Sequence, residues 1–85
     1  MEFYDRLKIS LEKSQKWPGT YLFKFIVPTA QKAELLALLP LGSIQLKESR
    51  GSKYLAVSLT SKMTDATEVI QVYQKVSTVT GIVSL

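Results

Sequence analysis

The sequence contains no cysteine and no histidine. Without cysteine there is no disulfide framework, no thiolate nucleophile and no cysteine-based zinc site. Without histidine the commonest general base and the commonest metal ligand are both missing. Together these absences exclude Ser-His-Asp and Cys-His triads and a conventional structural zinc site. Long apolar runs are missing too. The apolar stretches are short and broken by residues such as Lys24 and Pro40, far from the roughly 20 residues needed to cross a bilayer. The N-terminal stretch Met1 to Arg6 carries acidic residues and lacks the apolar centre of a secretory signal. No membrane association and a cytoplasmic location are the expectations.

Eleven Lys and Arg stand against seven Asp and Glu, a net charge of +4. That excess allows weak attraction to acidic partners or nucleic acid, but it is not the dense basic stripe of a dedicated nucleic-acid binder. The apolar share, 46%, is too high for a disordered chain. At 85 residues there is room for one domain, read here as 1–85, with an N-terminal helical extension at 1–16 and a core at 17–85.

Apolar residues Phe3, Tyr4, Leu7 and Leu11 have helical spacing over 2–15, and Trp17-Pro18-Gly19 ends that helix. Tyr21 to Val27 is rich in aromatic and β-branched residues and reads as a central strand. Tyr21, Phe23, Phe25 and Val27 share its core face, and Leu22, Lys24 and Ile26 share the other. Thr29 is placed as the N-cap of an apolar helix over Ala30 to Leu39, stopped by Pro40 and Gly42. Ser43–Ser49 and Tyr54–Thr60 alternate as a hairpin about Arg50-Gly51-Ser52-Lys53. Ile44, Leu46, Leu55, Val57 and Leu59 are expected inward. Asp65 and Glu68 form a capping-box pattern before a helix whose apolar stripe is Val69, Val72, Tyr73 and Val76. Gly81 breaks this helix, and Ile82 to Leu85 forms a last strand.

The order predicts an α+β fold: a ferredoxin-like βαββαβ sandwich. Its four-stranded antiparallel sheet would have two helices on one face, plus the short N-terminal helix. Right-handed crossovers place the first and third strands side by side in the centre.

Three segments carry a family likeness. They are Trp17-Pro18-Gly19-Thr20-Tyr21-Leu22-Phe23-Lys24-Phe25, then Gly51 with Tyr54 to Thr60, then Val69-Ile70-Gln71-Val72-Tyr73 before the C-terminal strand. In this order and spacing the chain resembles the YbeD-like family of small bacterial proteins, with one residue more between Gly51 and Tyr54 and one fewer around Gly81. The resemblance implies a ferredoxin-like fold similar to ACT-type regulatory domains. It brings no catalytic or ligand residues.

Candidate sites follow from the fold. The sheet face away from the helices would expose Leu22, Lys24 and Ile26 beside Tyr54, with the basic residues Lys47, Arg50 and Lys53 on the hairpin. Apolar residues exposed on a sheet face mark an interface for a protein partner or a second copy of the chain. The alternatives are that the N-terminal helix folds back over this face, or that it is ordinary surface. The hairpin cations are read first as blunting an edge strand against aggregation and only second as steering an acidic partner.

An ACT-like metabolite sensor is the second reading. Its junction after the first strand holds Val27-Pro28-Thr29-Ala30 rather than a backbone-exposing glycine. Weak RNA binding is the third and is not favoured. Arg50-Gly51 loosely echoes an RNA recognition motif, but Ser52 stands at its first aromatic position and the first strand presents no outward aromatic. The carboxylates Asp5, Glu12, Glu34, Glu48, Asp65 and Glu68 are scattered, so no enzyme activity and no cofactor are expected. The function expected is a regulatory or protein-interaction module.

Overall fold

The two segments with the clearest side-chain alternation form the two longest strands, and they pair with each other. The computed structural model of the chain describes residues 3–85, without the side chain of Arg50. Strands β1 (Gly19–Pro28) and β3 (Tyr54–Met63) run antiparallel throughout, from Gly19 opposite Met63 to Pro28 opposite Tyr54. Strand β2 (Ser43–Glu48) lies outside β3, and β4 (Val83–Ser84) lies outside β1. The sheet order is β2-β3-β1-β4. Helices α1 (Phe3–Ser14), α2 (Lys32–Leu38) and α3 (Ala66–Val76) complete an α+β chain. A four-stranded antiparallel open sheet with three helices is compatible with a small ferredoxin-like fold.

Period-two alternation sends Phe23, Phe25 and Val27 of β1 to one side, with Leu55, Val57 and Leu59 of β3. There they join Leu11 of α1, Leu35 of α2 and Val69, Val72 and Val76 of α3 in one buried apolar cluster. Burying each such side chain contributes about 1.5–3 kcal/mol. Tyr21 is half-buried at the rim of this cluster. Ser61 is a buried polar residue, and its hydroxyl donates to the Leu41 carbonyl at 2.6 Å.

Local chemistry sets the ends of α1 and α3. Asp65 accepts the Glu68 N–H at 2.9 Å, as an N-cap should. Glu68 reaches one residue past the usual capping-box partner and accepts from the Thr64 N–H at 3.4 Å. At the end of α1 the Trp17 indole N–H donates to the Leu11 carbonyl at 3.2 Å, satisfying one of the last-turn carbonyls.

Three sequence expectations are corrected. Thr29 is not a helix cap. It opens a 3₁₀ turn, Thr29–Gln31, its hydroxyl donates to the Ser52 carbonyl at 2.7 Å, and its N–H donates to the Lys53 carbonyl at 3.0 Å. α2 is correspondingly shorter than the expected 30–39 and ends before Leu39, which is extended (ψ 144°) as a residue before proline prefers. With seven residues, α2 does not roof β2. Ile44 and Leu46 take the inward register opposite Leu59 and Val57, yet they are 39% and 42% exposed.

The left-handed glycines separate backbone strain from steric strain. Gly51 (φ 82°) has open space where a Cβ would stand, whereas at Gly81 (φ 78°) a Cβ would lie 2.8 Å from Pro28 Cγ. Gly51→Ala is expected to cost about 1 kcal/mol. Gly81→Ala is expected to cost about 2–3 kcal/mol because Pro28 must also move. Urea unfolding of the two variants measures the difference, and equal losses would remove the steric role of Pro28.

Candidate functional site: the open sheet face

The same alternation that fills the core leaves a second face of the sheet. The even-numbered residues of β1 and β3 and the odd-numbered residues of β2 point away from the buried cluster. α1 does not fold back over them. It packs against α3, and its Leu11 belongs to the core cluster on the other side.

Register arranges the open face in rows. Lys47, Ala56 and Ile26 lie side by side, with Val83 of β4 beyond Ile26. The next row is Gln45, Ser58 and Lys24, and the next Ser43, Thr60 and Leu22. β3 thus contributes only small side chains at the centre, below Leu22, Lys24 and Ile26 of β1 on one side and Gln45 and Lys47 of β2 on the other, while the β2 side is low at Ser43. The result is a trough along β3. One part of it is a hollow of 570 Å³ bordered by Gln45, Lys47, Ala56 and Ser58. Another, of 150 Å³, is bordered by Ile26, Lys47, Tyr54 and Ala56. Leu22 is 49% exposed and Tyr54 52%, while Ile26 is half-buried.

Five of the residues singled out from sequence therefore share this face: Leu22, Lys24, Ile26, Lys47 and Tyr54. Lys53 is exposed in the adjoining turn, and the Arg50 side chain lies outside the described residues. Sequence reasoning missed Lys62 and Val83. β3 continues to Met63, three residues beyond the expected end at Thr60, and this brings Lys62 onto the face. The alternation itself, Ser61 in, Lys62 out, Met63 in, could have revealed it. Val83 depended on the pairing of β4, which no local pattern announces.

Hydrogen bonds within the β2–β3 connection position the Tyr54 end. Gly51 (φ 82°) and Ser52 (φ 56°) turn the chain. The Tyr54 N–H donates to the Ser49 hydroxyl at 3.1 Å, and the Ser49 N–H donates to the Tyr54 carbonyl at 2.9 Å. The Ser52 hydroxyl donates to the Glu48 carboxylate at 3.2 Å. Thr29 ties the turn to the end of β1 through both of its donors, so the junction considered for a metabolite has those groups already engaged.

A separate cavity of 420 Å³ opens on the helix side of the sheet, between α1, α3 and β4. Tyr4, Leu7, Tyr21, Tyr73 and Ile82 contribute to its lining. The Tyr21 and Tyr73 hydroxyls are 3.1 Å apart, and the Tyr73 ring lies edge-on to Phe23 with centroids 5.3 Å apart. Burial, and then the neighbouring Tyr21 phenol, push the Tyr73 phenol well above its ordinary value. Among the described residues no cluster of acidic side chains is placed to hold a metal ion. No helix of the described residues is long and apolar enough to cross a membrane. Comparison with protein families, curated proteins and solved structures finds no match to this chain.

The raised Tyr73 group makes a pH prediction. The unfolded chain ionises this tyrosine at about pH 10, whereas the folded chain holds it neutral to higher pH. The stabilisation is therefore complete below about pH 10 and is lost as pH rises beyond it. Urea midpoints measured at about pH 8 and 11 should fall more steeply for the wild type than for Tyr73→Phe. Parallel declines would mean that Tyr73 does not contribute to alkaline unfolding.

Proposed function

We propose that the chain is a non-enzymatic interaction module that binds a protein partner, another chain or a second copy, across the open face of its sheet. The observation that carries this reading is the uncovered face itself. All three helices contribute to the core cluster on the opposite side, while Leu22, Ile26, Tyr54 and Val83 stand on a surface that no element of the described chain covers. Exposed apolar side chains gathered on one face gain free energy when a partner removes them from water. The domain is of ferredoxin-like type and YbeD-like in kind. The strand order β2-β3-β1-β4 and the alternation of elements support the ferredoxin-like type, and the YbeD-like reading rests on the sequence segments alone.

Native mass spectrometry of the tagged protein from its own cells tests the reading. Leu22→Ser and Tyr54→Ala are both about half exposed in the wild type, so the fold should persist, as circular dichroism would verify. Each is expected to weaken a co-purifying protein or dimer by about tenfold. Retention of the partner by both variants would remove the face from its binding.

A small-metabolite sensor is the second reading, favoured by the 420 Å³ cavity, whose size suits a small ligand. Its mark would be a bound small mass that disappears when Leu7→Trp fills the cavity.

A further inference from the structure

The open face is basic as well as partly apolar. Lys24, Lys47 and Lys62 all belong to it by register. None of the described Asp and Glu side chains does. Asp5 and Glu12 are on α1, Glu34 on α2, and Asp65 and Glu68 at the start of α3. Glu48 takes the opposite side of β2; it borders the hollow beside Tyr54, and its carboxylate accepts from Ser52 in the turn. The lysines are spread along the face, Lys47 in the Ile26 row, Lys24 in the next and Lys62 in the Thr20 row, and register places no described carboxylate among them, with Glu48 at the Tyr54 end.

The shape of the face adds to its charge. The backbones of β1 and β2 lie two strand spacings apart, about 9–10 Å, and the small side chains Ala56, Ser58 and Thr60 keep the surface between them low. An α-helix, about 10–12 Å across with its side chains, would lie on the side chains of these strands rather than between them. We propose that this face docks an acidic amphipathic helix of a partner protein, its apolar side chains reaching Leu22, Ile26 and Ala56 and its carboxylates reaching Lys24 between them, Lys47 beside Ala56 and Lys62 beyond Leu22. This deepens the interaction reading above and rests on it.

Charge complementarity decides between occupants. A second copy placed face to face would set lysine against lysine, which disfavours self-association. Single-stranded nucleic acid would find the cations but no stacking platform, because among the described residues Tyr54 is the only aromatic side chain of the face and stands at one end. An acidic amphipathic helix meets both properties at once. Apolar burial supplies affinity, and the lysines orient the helix and speed encounter.

The test uses the isotope-labelled full chain and a helical peptide of about five turns, with leucine on one side and glutamate on both flanks. Backbone amide shifts are expected at Lys24, Ala56 and Ser58, with affinity falling about tenfold as salt rises from about 50 to 300 mM. The same peptide with lysine in place of glutamate is expected not to bind. The double variant Lys24→Glu, Lys47→Glu should reverse the preference, and because both residues are exposed its fold should survive. Equal binding of the two peptides, or an unreversed preference, would overturn the acidic-helix assignment. So would tighter binding of oligouridylate than of the acidic peptide at physiological salt. If the acidic peptide fails while Leu22→Ser and Tyr54→Ala still release a cellular partner, the interaction face stands and the acidic helix falls. If those variants also retain the partner, both fall.

Discussion

The pairing of β1 with β3 carries the rest of the structure. Ten residues of each strand are matched without interruption, so one alternation of side chains governs both faces of the sheet centre. On one side it stacks Phe23, Phe25 and Val27 against Leu55, Val57 and Leu59, and α1, α2 and α3 add their apolar residues to that surface. On the other it aligns Leu22, Lys24 and Ile26 with Thr60, Ser58 and Ala56. A one-residue slip would exchange the two sets and bury Lys24. The core and the candidate site are therefore consequences of a single register.

The periphery is held by more specific contacts. β2 has no roof, and its inward Ile44 and Leu46 remain partly exposed. Its position beside β3 rests on the backbone ladder and on the serine-rich turn, where Ser49 and Ser52 bond Tyr54 and Glu48. Thr29 fastens that turn to the far end of β1. These bonds keep Tyr54 at one end of the trough and Lys47 along its wall, so a small polar network near the end of the sheet shapes the candidate surface. The basic turn fits an edge-protecting role equally well, since charge near a short exposed strand discourages strand addition.

The helix side has its own polarity problem and resolves it differently. Tyr73 lies against Phe23 and Phe25 and shares a hydrogen bond with Tyr21, so the hydroxyl of this half-buried residue has a partner. The sequence pattern places Tyr73 on the apolar stripe of α3, which is correct, but the stripe does not show that this residue borders a cavity. That follows from where α1 meets α3 and where β4 ends.

What the sequence by itself determined is local and periodic. It identified β1, the β2–β3 hairpin, α1 and α3, the Asp65 cap and the division of β1 and β3 into two faces, because alternation and capping are written in neighbouring residues. The exclusion of His- and Cys-based chemistry came from composition alone. The tertiary structure decided what depends on distant partners. It set Thr29 as a clasp on the turn instead of a helix cap, kept α2 too short to roof β2, and brought Val83 beside Ile26. It also placed α1 on α3, leaving the basic face open. The physical reason is common to these cases: a side chain's periodicity fixes which way it points, but only packing across long sequence separations fixes what, if anything, it meets there.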